Sequence, residues 1–241
     1  MTSYLRVFPI LLVPLALPLT SPRGKGETVE LDEAEVFIEF NSTDMDFGIH
    51  FFWDGEAWNK MKVESPDGKT VLSVKASRNL AQQGLTEGFF ESDEPPTSVL
   101  SMEEFFRRFP EGEYEFEGKT LEGDELEGEA EFTHVLPAPP TNLWPTQGST
   151  LNAQAPLILT FDAVTQDLNG NPLEPELYEV VLETENEILR VFSIVLEGDE
   201  ESPSVTVPPE FLDPGTEYKL EVIVEGESGN RTISETVFNT L

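Results

Sequence analysis

The first residues in this sequence whose type and spacing could do chemistry are the carboxylates of a glutamate–glycine run. The run begins at Glu111 and reads EGEYEFEGKTLEGDELEGEAEF. A meander of strands could bring Glu122, Asp124 and Glu127 together, and several oxygen ligands around one point suit a hard cation such as Ca²⁺. The alternative is a solvated hairpin with its glycines at turns or bulges. We favour the hairpin and keep the Ca²⁺ site as a hypothesis.

A second acidic segment, DLNGN, offers oxygen ligands from Asp167 and Asn169. Its Gly170 comes too early for the calcium-binding loop of an EF-hand. An Asn-Gly pair more simply marks a turn. Ca²⁺ binding is again a hypothesis here, and no other cofactor is predicted.

Aromatic side chains beside carboxylates can bind a sugar by stacking and hydrogen bonding. Phe52 and Trp58 lie near Asp54 and Glu56 in the sequence. Successive side chains of a strand point to opposite faces, and of the aromatics here we expect Phe52 and Trp58 to lie outside the core. The sequence therefore predicts either a glycan platform at Phe52 and Trp58 or simple core packing.

No pattern in the sequence indicates catalysis. The two histidines, His50 and His134, lie among apolar residues and are predicted to be structural. The chain has no cysteine and no nucleophile-elbow, zinc-protease or phosphate-loop motif. Carboxylate pairs are inevitable among 47 acidic residues, so they do not indicate glycosidase chemistry. We predict that the protein is not an enzyme.

The charge of the chain restricts its partners. It carries 47 acidic and 14 basic residues, a formal net charge of −33. A protein that binds phosphate backbones needs a cationic face, and anionic membrane surfaces repel acidic proteins for the same Coulombic reason. The sequence predicts no nucleic-acid partner and leaves a protein or a glycan as the partner.

The first 26 residues resemble a secretory signal peptide. Arg6 precedes an apolar run over residues 7–19 that is too short to span a bilayer. We therefore predict an extracellular or periplasmic protein, not inserted in a membrane in its mature form. The absence of cysteine favours a bacterial source, because small secreted eukaryotic domains are often rich in disulfides.

A stiff proline-rich connector around Pro137 divides the remaining chain. The predicted domains are residues 27–137 and 138–241. The first alternates apolar and acidic residues as strands do, and it contains one apolar stripe of helical period over residues 101–109. Ser101 and Glu104 have the spacing of a capping box at the start of that helix.

The second domain carries at least five strand candidates separated by turn residues. The segment from Leu212 to Tyr218, which reads LDPGTEY, resembles the stretch before strand F of a fibronectin type III domain. The resemblance implies a β-sandwich in which Tyr218 makes a corner contact. It departs from the family at Phe161, where a tryptophan is usual, and no Arg-Gly-Asp occurs over residues 225–230. The first domain resembles no named family.

Together these patterns predict a mostly β protein with two β-sandwich-like domains in tandem. Such a fold hosts many functions and by itself names none. The function that we predict is a secreted, non-catalytic binding or scaffolding protein. The alternatives are a Ca²⁺-stabilised surface adhesion module and a carbohydrate-binding accessory module of an extracellular system.

Overall fold

The computed structural model describes residues 26–184 and 190–241. The predicted signal peptide, apart from Gly26, lies outside the described residues. The described chain forms fifteen strands and two short α-helices, which confirms the mostly β fold class. No helix among these residues is long and apolar enough to cross a membrane.

The first half of the chain is built around one long strand. Its seven strands are β1 (Thr28–Glu30), β2 (Glu33–Asn41), β3 (Asp46–Glu64), β4 (Thr70–Lys75), β5 (Leu85–Glu91), β6 (Gly112–Thr120) and β7 (Glu125–Phe132). The first part of β3 pairs with β2 and β5, and its second part pairs with β4 and β6. Side chains from both parts of β3 enter one hydrophobic core.

Two short helices complete the first half. Helix α2 (Met102–Arg108) confirms the predicted helix, and Ser101 Oγ accepts a hydrogen bond from the Glu104 amide at 3.3 Å. Its Phe105 ring is buried and packs edge-on against Phe47 at 4.7 Å. Helix α1 (Arg78–Gln83) was not predicted, and it buries no residue. The absence of an apolar stripe explains why periodicity did not reveal it.

The second half is a sandwich of two sheets. Its strands are β8 (Thr141–Trp144), β9 (Thr150–Leu151), β10 (Leu157–Asp162), β11 (Pro175–Thr184), β12 (Val191–Glu197), β13 (Ser204–Val207), β14 (Glu217–Gly226) and β15 (Arg231–Thr240). One sheet has the order β13-β10-β8, and the other continues through β15-β14-β11-β12. Buried side chains from both sheets form a second core.

The strand order and the tyrosine corner confirm the fibronectin type III-like fold of the second half. The Tyr218 hydroxyl donates to the Phe211 carbonyl at 3.3 Å and accepts the Asp213 amide at 2.7 Å. Phe161, which stands where a tryptophan is usual, packs edge-on against Tyr178 at 5.0 Å. Tyr218 therefore has the corner role that the resemblance implies, and Phe161 is a core aromatic in the place of the usual tryptophan.

A single sheet passes from one half of the chain into the other. Strand β15 pairs in parallel with β2, with Arg231 opposite Glu39 and Ile233 opposite Asn41. This pairing joins the strands of the first half to β15, β14, β11 and β12 in one twelve-stranded sheet. The predicted boundary at residues 137 and 138 falls between the two hydrophobic cores, and the division into domains stays a prediction.

Candidate functional sites

The glutamate–glycine run forms the antiparallel hairpin of β6 and β7. Glu122 is exposed in the turn, whereas Asp124 is buried and accepts the Gly26 amide at 3.0 Å. Glu127 lies on the exposed face of β7, opposite Glu117. The three carboxylates thus lie in different surroundings, as in a solvated hairpin, and the Ca²⁺ site stays a prediction.

Another group of acidic residues lies on the neighbouring strands β3 and β6. Ligand atoms of Glu64, Glu115 and Glu117 come within 4.8 Å of one another. The Lys62 ammonium already lies between two of them, 3.1 Å from Glu64 Oε1 and 2.8 Å from Glu117 Oε2. Hydrogen bonds from Lys62 and Thr70 lower the pKa of Glu64. The lysine supplies the positive charge that a metal ion would bring.

The Asp167 segment forms a turn that is held by its own aspartate. Asp167 Oδ1 accepts the amides of Asn169 and Asn171, both at 2.8 Å, and Oδ2 accepts the Asn171 side-chain amide at 2.9 Å. These hydrogen bonds, led by the Asn171 side chain, lower the pKa of Asp167. The Asn169 side chain is exposed. The carboxylate organises its loop, as an Asx turn does.

Trp58 does not form a surface platform, and this corrects the glycan hypothesis as it was placed. Its exposed fraction is 0%, and its ring lies 5.6 Å from that of Trp53 in the core. The pairing of β3 with its neighbouring strands shifts register on both sides of Trp58. Such shifts change the face to which a side chain points, and here they turn Trp58 into the core. Phe52 is half-buried and pairs with Phe89 of β5.

The third tryptophan is the exposed one. Trp144 of β8 is 45% exposed, and Ile158 of the neighbouring strand β10 is 53% exposed. Trp144 pairs with Thr160, two residues from Ile158, so both apolar side chains occupy the outer face of the three-stranded sheet. We call this pair the Trp144 face. An exposed apolar patch on an acidic protein is a candidate contact surface.

Polar groups border the Trp144 face. The Asn142 side-chain amide donates to Asp162 Oδ2 at 2.6 Å, and both residues are exposed. The sequence analysis did not select Trp144. The period-two alternation of β8 carried the signal, because Leu143 is buried and its neighbours point outward.

A buried asparagine connects the two halves. Asn230 has an exposed fraction of 0%, and its Oδ1 accepts the Ile38 amide of β2 at 2.7 Å. Its Nδ2 donates to the carbonyls of Thr133 and Val135, both at 2.9 Å. One side chain of the second half thus satisfies three backbone groups of the first half and the connector.

Further side chains extend the contact between the two halves along β15 and β2. We call this contact, with Asn230 at its centre, the junction. The Asn41 side-chain amide donates to Glu235 Oε1 at 2.7 Å, and the Glu235 amide donates to Thr43 Oγ1 at 2.9 Å. At the other end, Arg231 lies over the Phe37 ring at 4.6 Å and donates to Glu225 at 2.7 Å. These contacts hold the halves in one fixed register.

Two junction carboxyls have pKa values raised to about 7. For Glu235 the main cause is burial, and repulsion from Glu221, directly opposite on β14, adds to it. Lys219 and the hydrogen bond from Asn41 partly oppose that increase. Burial and then Glu33 raise the pKa of Glu35 in the same way. Both glutamates destabilise the folded protein when they are ionised.

Because its folded pKa lies above its unfolded value, Glu235 binds a proton in the native state between about pH 4.5 and 7. The folded protein should therefore lose stability as the pH rises through this window. Glu235→Gln keeps an acceptor for Asn41 and removes the charge. We expect a gain of about 1–2 kcal/mol at pH 8 and a flatter profile, measured by urea unfolding from pH 5 to 8.

The exposed Glu217 of β14 provides the control for this experiment. Glu217→Gln changes the net charge of the chain equally but relieves no buried carboxyl. If both variants shifted the pH profile alike, general charge repulsion rather than the junction would cause the effect.

A different group of potential ligands lies beside the junction in the first half. Ligand atoms of Glu39, His50 and Glu94 lie within 4.8 Å of one another. Glu39 and His50 are buried, and the Glu94 side chain is 22% exposed. The structure brings these three together from β2, β3 and the segment after β5. The sequence predicted only that His50 is structural.

No protein-family model and no curated protein sequence matches this chain. Among solved structures it is similar to the FN1–FN3 domains of chicken CNTN1, with 12% identity over 90% of this chain and 69% of the other, at a TM-score of 0.35. It is also similar to a two-domain fibronectin type III segment of chicken tenascin, with 10% identity over 87% of this chain and 98% of the other, at a TM-score of 0.30.

Another similar structure is that of a bacterial ice-binding adhesin of 1.5 MDa, studied for host cell surface retention. Its identity is 10% over 89% of this chain and 65% of the other, with a TM-score of 0.30. The chain spans only 15% of the similar alpha-2-macroglobulin of Escherichia coli in its trypsin-activated form. These likenesses are too weak to support a function, and the assignment of the fold rests on the strand pairing and the tyrosine corner.

Proposed function

We propose that this protein is a secreted, non-catalytic binding or scaffolding protein that contacts its partner through the Trp144 face. The observation that carries the proposal is the exposure of Trp144 and Ile158 together on one sheet face. Burial of a large aromatic side chain and its apolar neighbour is a strong source of binding energy at a protein interface. The fold of the second half, a sandwich that presents sheet faces and loops, suits this role.

The continuous sheet supports the scaffolding part of the proposal. The pairing of β15 with β2, together with the Asn230 hydrogen bonds, fixes the position of the second half against the first. A fixed position reduces the conformational entropy that the protein loses when it binds a partner. The acidic surface, with a net charge of −33 for the chain, favours partners that carry basic or neutral surfaces.

The proposal is tested by a photo-crosslinking amino acid at position 158, in the secreted fraction of the producing cells. We expect an adduct of defined mass that disappears in the Trp144→Ala background, because the exposed Trp144 and Ile158 share one face. The same crosslinker at the exposed position 119 of β6 is the control. Equal adducts at both positions, no adduct, or adducts insensitive to Trp144→Ala would each contradict the proposal.

Glycan binding is a second candidate, favoured by the hydrogen-bonded Asn142 and Asp162 beside Trp144. A tryptophan ring offers a stacking surface, and the polar pair offers donors and acceptors. Trp53 and Trp58 are fully buried, so a change in tryptophan emission on glycan addition would report on Trp144. This candidate predicts emission changes with particular glycans, whereas a protein partner predicts crosslinked polypeptide. A Ca²⁺-stabilised adhesion module remains a proposal without a preferred site.

A further inference from the structure

His50 has unusual surroundings for a buried polar side chain. Its exposed fraction is 1%, and neither ring nitrogen has a hydrogen-bond partner among the described residues. A buried polar group without a hydrogen bond is costly, and native proteins seldom leave one without a reason. In its neutral form the imidazole therefore offers one nitrogen lone pair as a ligand and keeps one N–H, in a place with almost no solvent exposure.

The ring of His50 is held in position by packing. It stacks on Phe37 with centroids 4.8 Å apart and an interplanar angle of 14°, and Phe89 packs against it at 5.6 Å. The stacking limits rotation of the imidazole. Its Nε2, on the edge of the ring, lies 3.9 Å from Glu94 Oε1.

The segment that carries Glu94 is hydrogen-bonded to β3 at one end and to Met45, the residue before β3, at the other. Before Glu94, the Ser92 amide donates to the Ile49 carbonyl at 3.1 Å, and the Ile49 amide donates to Ser92 Oγ at 3.1 Å. After it, the Thr97 amide donates to the Met45 carbonyl at 2.7 Å.

A glycine makes room for this carboxylate. A Cβ placed on Gly48 would lie 3.0 Å from Glu94 Cγ and 3.3 Å from its Oε1. Because Gly48 is opposite Glu39 in the β2–β3 register, the space it leaves adjoins the second carboxylate. The backbone thus accommodates Glu94 beside Glu39 and His50.

We propose that Glu39, His50 and Glu94 bind one divalent first-row transition ion, such as Zn²⁺. An imidazole with two carboxylates suits these ions, whereas Ca²⁺ requires six to eight oxygen ligands. Two ligands of a tetrahedral Zn²⁺, each about 2.0–2.2 Å from the ion, lie roughly 3.4 Å apart. The separation of 3.9 Å between His50 and Glu94 is close to that value, and the partly exposed Glu94 side chain leaves a path for the ion.

The ion would connect three pieces of chain next to the junction. Its ligands come from β2, β3 and the segment after β5, and Glu39 is opposite Arg231 of β15. A bound ion would therefore stabilise the folded chain beside β15. It goes beyond the proposed function, because binding at the Trp144 face does not require it.

The test uses the full chain without a histidine tag, stripped with a chelator and titrated with Zn²⁺ by calorimetry. Metal content is measured after dialysis, and Co²⁺ absorption reports ligand geometry. We expect one equivalent of Zn²⁺ and an affinity at least about tenfold lower in Glu94→Gln. Glu94 lies in a partly exposed segment, so this variant should fold normally, and His50→Gln provides the second variant.

Two controls make the result specific. The chain has two histidines and no cysteine, so His134→Gln removes the one other imidazole and should leave the affinity within about twofold. Glu117→Gln removes one carboxylate from the other acidic group, that of Glu64, Glu115 and Glu117, and should also leave the Zn²⁺ affinity unchanged. Wild-type protein that binds no Zn²⁺, or that binds it as tightly after Glu94→Gln, would overturn the proposal; a buried water would then be the better partner for His50.

Discussion

Asn230→Ala is expected to lower the free energy of unfolding by about 3–5 kcal/mol. The substitution removes the acceptor of the Ile38 amide and the donor to the Thr133 and Val135 carbonyls, in a place with no solvent exposure. Each buried backbone group that loses its partner costs about 1–3 kcal/mol. The loss is a large fraction of the total stability of about 5–15 kcal/mol that is usual for a protein.

The measurement is urea unfolding followed by circular dichroism and by tryptophan emission. Because Trp53 and Trp58 are buried in the first core, their emission reports on the first half. Weakening the junction should separate the transitions seen by the two probes, since Asn230 links one half to the other. Asn152→Ala is the control, as Asn152 is exposed and its side chain accepts one local amide, that of Gln154. A loss below about 1 kcal/mol for Asn230→Ala would show that this link contributes little.

Lys219→Met is expected to destabilise the protein by about 2–4 kcal/mol at pH 8. The Lys219 side chain is only 6% exposed and forms ion pairs with Glu183 at 2.8 Å and Glu221 at 2.7 Å. Burial lowers the pKa of Lys219, but Glu221 and Glu183 more than offset this effect and raise it. Lys219 is therefore charged in the folded protein, and its loss leaves carboxylates facing one another across the sheet.

The destabilisation should depend on pH. Lys219 contributes its full stabilisation at any pH below the unfolded lysine value of about 10.4, as long as its partners are ionised. Its removal should raise the already elevated pKa of Glu235, because Lys219 lowers it in the intact protein. We therefore expect a smaller loss at pH 5 than at pH 8, measured by urea unfolding at both values.

Lys119→Met is the matched control for this prediction. Lys119 pairs with Glu125 across the β6–β7 hairpin, and both side chains are at least half exposed. Exposed ion pairs contribute about 0–1 kcal/mol, so little change is expected. An equal loss in the two variants, or a loss at Lys219 that does not vary with pH, would show that the buried ion pairs are not its cause.

Local patterns predicted those elements whose structure is decided by neighbours in the sequence. The Ser101 capping box and the apolar stripe after it gave helix α2, with the cap hydrogen bond in place. The turn between β3 and β4 is also held by neighbours in the sequence, because Ser65 Oγ donates to Asp67 at 2.6 Å. The resemblance of the segment that ends at Tyr218 to the fibronectin type III family implied the corner contact of the second sandwich, and the structure has it.

Alternation failed where a strand is irregular. We expected Trp58 outside the core with Phe52, but the register shifts around Trp58 turn that side chain into the core. A bulge changes the face of every later residue and leaves little trace in composition. The exposed tryptophan is Trp144 instead. The alternation of buried and exposed residues along β8 places it outward, so the same rule applied to β8 would have predicted its exposure.

Composition and local pattern alone determined that this is an acidic, mostly β protein, and the resemblance of the segment ending at Tyr218 implied a fibronectin type III-like second half. The pairing of β15 with β2, the burial of Asn230 between the halves, and the meeting of Glu39, His50 and Glu94 were decided only by tertiary structure. The physical reason is sequence separation. Contacts such as that of Ile38 with Asn230, 192 residues apart, form only when both halves have folded, and no local periodicity records them.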